Sequence, residues 1–101
     1  ARTMGKYLVL WEVVPGTVPL NAKEAGPAFL ALTDMVRADI KKGVTKDWGA
    51  FVGGLKGYAI DEGTEVEVMN EMLQYSPHIK FEVHAVASVD KVAQAMKAWG
   101  K

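Results

Sequence analysis

The sequence predicts a single α+β domain in which helices alternate with the strands of one antiparallel sheet. Three observations predict it. A β-branched and aromatic run of strand length opens the chain, stretches with helical spacing follow and alternate with further strand-like runs, and a glycine-bearing connection joins two short strands in the middle. Half of the 101 residues are hydrophobic and 24% are charged, which is enough apolar material for one packed core and too much for intrinsic disorder. With no Pro/Gly/Ser-rich linker, residues 4–101 read as one domain, and Ala1, Arg2 and Thr3, standing before a candidate initiator at Met4, read as an appended remnant.

The first strand spans about residues 6–14 and ends on the turn chemistry of Pro15-Gly16. Nearly all of it is apolar, so both faces need cover, as for a central strand. After the loop through Pro19, Phe29, Leu32, Val36 and Ile40 recur at helical spacing, with Lys41 and Lys42 in the last turn and Gly43 at the stop, giving a helix over about 21–42. Asn21 with Glu24 resembles a capping pair, whereas a start near Gly26 would make Pro27 an early helical residue. Two β-like runs, 48–52 and 57–61, flank Gly53-Gly54 and form a hairpin in which Phe51 can oppose Tyr58, although a one-residue change in the loop alters the partners.

Thr64-Glu65-Val66-Glu67 is a capping box and opens the next helix, over about 64–76, with Met69, Met72 and Leu73 as its apolar face and Ser76-Pro77 as its end. A last strand over 79–87 alternates Phe81, Val83 and Ala85 with Lys80, Glu82 and His84, the half-polar pattern of an edge. Ser88 caps a terminal helix over 88–99 whose Val89, Val92, Met96 and Trp99 form a stripe. This order, βαββαβ with an extra C-terminal helix, is the pattern of a ferredoxin-like sandwich; right-handed crossovers give a four-stranded antiparallel sheet in the order 4-1-3-2 with both main helices on one face.

With that element order, and with the opening run YLVLWEV, the sequence resembles the dimeric α+β barrel superfamily. The segments DWGAFVGGLKGYAI and YSPHIKFEVHAVASVDKV, about a third of the chain, look like those of a small prokaryotic one-domain family of unknown function. The resemblance implies a homodimer whose sheets face each other, sometimes around a ligand cavity. Its members include cofactor-free monooxygenases, isomerases, haem-dependent enzymes and proteins without known activity, so it does not by itself fix a function. No catalytic motif of a characterised branch is matched, and no site residue is carried over.

Twelve basic and twelve acidic side chains cancel, which leaves no net field to gather nucleic acid or an anionic membrane. Arg37, Lys41, Lys42 and Lys46, and the acidic Asp61, Glu62, Glu65, Glu67 and Glu71, read as solvated helix ends. The absence of cysteine excludes disulfides, thiolate metal sites and a Cys nucleophile. No apolar run approaches the roughly 20 residues of a membrane span, and a cytoplasmic location is expected. The glycines at 49, 53, 54, 57 and 63 form neither a dinucleotide fingerprint nor a phosphate loop, and serve turns and close backbone approach.

Two histidines, His78 and His84, flank or lie on the last strand. Glu12 is a lone carboxylate in an apolar run and calls for a partner, for which His84 and Lys80 are candidates. Glu12 could orient His84 as a catalytic acid/base pair, with Glu82 beside it; a solvated or inter-subunit salt bridge explains the same residues. Trp11, Trp48 and Tyr58, with Tyr7 and Phe51, could stack on a flat ligand or fill a core. No cofactor and no metal site is indicated: Glu12, Glu82 and His84 supply ligand types without a diagnostic spacing. Three readings result: a dimer that binds a small hydrophobic or aromatic molecule, a cofactor-free isomerase or monooxygenase, and a purely structural oligomer.

Overall fold

The computed structural model describes residues 4–17 and 21–100; the expected N-terminal remnant and the loop at Pro19 lie outside the described residues. The chain runs β1 (Gly5–Val13), α1 (Ala22–Lys42), β2 (Thr45–Ala50), β3 (Lys56–Gly63), α2 (Glu65–Leu73), β4 (Ile79–Val86) and α3 (Val89–Trp99). Every strand pairing is antiparallel, and the sheet order β2-β3-β1-β4 is the expected 4-1-3-2 read from the other edge. This is the βαββαβ sandwich with an extra helix.

Local chemistry sets the boundaries. Asn21 is the cap of α1, its Oδ1 accepting from the Glu24 backbone N–H at 2.9 Å, so Pro27 lies inside the helix. Gly43 closes α1 at φ 88°, a left-handed conformation that glycine adopts without steric cost, and its N–H returns to the Ile40 carbonyl at 3.0 Å. At Thr64 both bonds of the capping box form, with Thr64 N–H donating to Glu67 Oε1 at 2.9 Å and Glu67 N–H to Thr64 Oγ1 at 3.2 Å. Ser88 caps α3 through the Lys91 N–H. The second helix is shorter than expected: α2 stops at Leu73, where Gln74 caps it, and turns lead on to β4.

The hairpin register also differs from the expected pairing. Gly49, not Phe51, stands opposite Tyr58, because β2 ends at Ala50 and Phe51 N–H already closes the loop onto the Lys56 carbonyl at 2.8 Å. A register shift between Thr45 and Asp47 marks an irregularity at the start of β2.

Helices α1 and α2 cover the sheet face that carries Val9 and Ala59, which are 1% and 5% exposed. The opposite face carries Leu8, Leu10 and Ile60, all half-buried. Helix α3 buries none of its residues, and Val89, Val92, Met96 and Trp99 are 81, 46, 53 and 83% exposed. The radius of gyration, 16.4 Å, exceeds the about 13 Å of a compact chain of this length. Among the described residues, no helix is long and apolar enough to cross a membrane.

Candidate functional site

The inward face of β3 is built from small residues, Gly57, Ala59 and Asp61, and this leaves space between the sheet and the helices. Gly57 is required there: a Cβ would overlap the Gly49 carbonyl oxygen and stand 2.6 Å from the Trp11 ring. Trp11 on β1 and Trp48 on β2 reach across this low strand from both sides. Their rings stack with centroids 5.2 Å apart and 6° between planes, and Trp11 Nε1–H donates to the Tyr58 carbonyl at 3.2 Å. The stack forms one wall of a cavity of about 150 Å³, with Val9 and Ala59 beneath it and Phe29, Leu32 and Val36 of α1 and Met72 of α2 above. An apolar cavity of about this size holds a benzene ring.

The two ends of the cavity differ in chemistry. At one end stand Gly54 and Leu55 of the β2–β3 loop, both exposed, so the cavity meets the surface there. The other end is polar and closed, lined by Asp39, Thr45, Asp61 and Tyr75, which are 3, 6, 1 and 7% exposed. Asp39 accepts from Tyr75 Oη–H at 2.5 Å and from Gln74 Nε2 at 3.0 Å. Gln74 also donates to Glu71 at 2.6 Å, and Glu71 receives Lys42 Nζ at 3.4 Å. Asp61 is different. Neither of its carboxylate oxygens has a hydrogen-bond partner among the described residues.

Burial is the main cause that raises the Asp61 pKa; the Thr45 hydroxyl, close by but outside hydrogen-bonding geometry, opposes the rise, and the Asp39 carboxylate adds to it. Glu71 is raised chiefly by burial and by Asp39, against Lys42. The Tyr75 phenol is pushed well above its usual value by burial, its bond to Asp39 and the neighbouring carboxylates, so it remains a donor. The acidic stretch is therefore not uniformly solvated: Asp61 and Glu71 are buried polar groups of this end.

Of the residues singled out in the sequence, Trp11 and Trp48 line the cavity. Tyr58 points to the opposite face of the sheet, where its hydroxyl donates to Asp47 at 2.8 Å; that bond is the main cause that raises its pKa. Glu12 pairs in register with Lys56 on β3 and Lys80 on β4, whereas His84 faces Leu8, four positions along β1. At about 3.4 Å per residue that separates Glu12 from the His84 position by roughly 14 Å of strand. The partner of His84 is Glu82, with Nε2 to Oε2 at 2.7 Å in a solvent-exposed pair. Glu12 and Glu82 border an open trough with Leu10, Phe51, Lys56 and Lys80 on the uncovered face, and His84 is not among its lining residues. His78 meets the Thr17 carbonyl at 2.9 Å.

The sequence reading missed Asp39, Thr45, Asp61 and Tyr75. A signal existed for two of them: Asp61 follows Gly57 and Ala59 at strand spacing, and Asp39 follows Val36 by one helical turn. Comparisons with protein-family models, with curated proteins and with solved structures find no match.

Proposed function

We propose that the protein binds a small hydrophobic or aromatic molecule in the cavity between the sheet and α1 and α2, as a cytoplasmic homodimer of the dimeric α+β barrel type. The observation that carries the ligand reading is the cavity of about 150 Å³ walled by the Trp11–Trp48 stack. Protein interiors seldom leave such space, because each void forfeits dispersion contacts and lowers stability. Ethylbenzene is a probe of matching size. Calorimetric titration should show it binding, and Ala59→Leu, which fills the floor with an isobutyl group, should abolish the heat while the variant stays folded. No binding by the wild type, or unchanged binding by the filled variant, refutes the reading.

Support for the dimer comes from α3. Among the described residues nothing covers its apolar stripe, and the sheet face bearing Leu8, Leu10 and Ile60 lacks a helix layer. A second copy offers both complements at once, since a two-fold axis brings each α3 to the partner and each open face to its like. Sedimentation should give a dimer at micromolar concentration. Val92→Lys with Met96→Lys should give a folded monomer, because both side chains are already exposed in the single chain. A wild-type monomer sinks the proposal.

A further inference from the structure

We infer that the molecule held in the cavity carries a cationic nitrogen, as in a small aryl or alkyl primary amine, and that Asp61 receives its ammonium group at the closed end. This rests on the cavity reading above and adds the chemical class of the ligand. Asp61 is 1% exposed, lines the cavity, and leaves both carboxylate oxygens without a partner among the described residues. Buried polar groups are nearly always hydrogen-bonded, so such a group needs an explanation in each case. The described neighbours do not provide one: the Thr45 hydroxyl stands close enough to favour the carboxylate but completes no hydrogen bond to it. Tyr75 donates to Asp39, Gln74 divides its amide between Asp39 and Glu71, and Lys42 serves Glu71 from a position 58% exposed.

The sign of the missing group follows from the charges that face this end. Asp39 from α1, Asp61 from β3 and Glu71 from α2 are carboxyl groups, Thr45 of β2 and Tyr75 after α2 are neutral, and among the described residues Lys42 is the one cation paired with them. An anion would be repelled, and a neutral alcohol would bring a donor without charge. An ammonium brings three donors and the positive charge together. Among the described residues no three such groups gather into a set that could hold a metal ion. Beyond Asp61 the walls turn apolar and aromatic, with Trp11, Trp48, Phe29 and Phe81, which suits the hydrocarbon part of an amine and gives its cation aromatic faces nearby.

Benzylamine, an ammonium at pH 7, and ethylbenzene, its neutral counterpart of nearly equal shape, separate this inference from the cavity reading. Titration calorimetry on the wild-type protein at pH 7 should show benzylamine binding about 10- to 100-fold more tightly, the worth of a charge-assisted bond. Asp61→Asn should erase that preference while ethylbenzene still binds, which also reports that the variant is folded. Ethylbenzene binding without a preference for benzylamine overturns the inference and leaves the cavity reading standing. Binding of neither overturns both. A preference that survives Asp61→Asn also overturns the inference, and if that variant does not fold, the wild-type ratio of the two affinities decides alone.

Discussion

Replacing Asp61 by Asn should make the ligand-free protein more stable at neutral pH. The side chain keeps its shape, the buried charge is lost, and the remaining amide still sits in a polar corner beside Thr45 and Tyr75. An unpartnered buried polar group costs about 1–3 kcal/mol, and an Asn in the same place keeps part of that cost, so the net gain should be about 1–2 kcal/mol. For a domain of this length that corresponds to a rise in Tm of roughly 4–15 °C. The gain should depend on pH. Burial raises the Asp61 pKa in the folded state, so the proton is held more tightly folded than unfolded, and the stability this gives is fully present below the usual carboxylate range, near pH 4. It is lost as the pH climbs through the raised folded value. Glu71 shifts in the same direction but is common to both proteins. Differential scanning fluorimetry from pH 4 to pH 8 should therefore show the two melting curves converging at the acid end and separating toward neutrality. Equal Tm values throughout, or a less stable variant at pH 7, would refute the assignment of Asp61 as a buried carboxyl without a partner.

Two further substitutions test the frame that shapes the cavity. Gly57→Ala should lower stability by about 1–3 kcal/mol, because the added methyl meets the Gly49 carbonyl and the Trp11 ring, and an unchanged urea midpoint would show that β3 has room to spare. Thr64→Ala should cost about 1 kcal/mol by removing the hydroxyl from the capping box of α2, measured in the same way, with the loss falling to zero if water replaces the cap without penalty.

Turn and cap chemistry was legible because it is local. Asn21, Gly43, Thr64 and Ser88 act within a few residues of themselves, and each marks its boundary in the structure. The faces of the helices were less legible, because helical spacing alone allows neighbouring stripes. Along α1 the stripe Phe29, Leu32, Val36 continues equally well to Ile40 or to Asp39; the sequence favours Ile40 by hydropathy, yet Ile40 is 47% exposed and Asp39 is 3% exposed. On α2 the expected face of Met69, Met72 and Leu73 gives way to Val68, Glu71 and Met72, with Met69 and Leu73 more than 60% exposed. In both helices a carboxylate takes an inward position. Such an exchange depends on donors distant in sequence, Gln74 and Tyr75 for Asp39 and Lys42 for Glu71, which no local pattern displays.

The same non-local logic explains why the aromatic pair was visible only as two separate tryptophans. Trp11 and Trp48 lie on strands that do not touch in the sheet, and they meet because β3 runs between them with Gly57 and Ala59 on its inner face. Larger residues at 57 and 59 would fill the core and separate the rings, and an apolar residue at 61 would remove the unpaired carboxyl. All three choices reduce packing or add a desolvation cost at adjoining inward positions of one strand. A sequence optimised for stability alone would not hold them together, whereas a site that must admit a ring and receive a charge requires both the space and the acid. The strand β3, with small residues and one buried carboxyl on its inner face, is thus the one that gives the cavity its shape and its polarity.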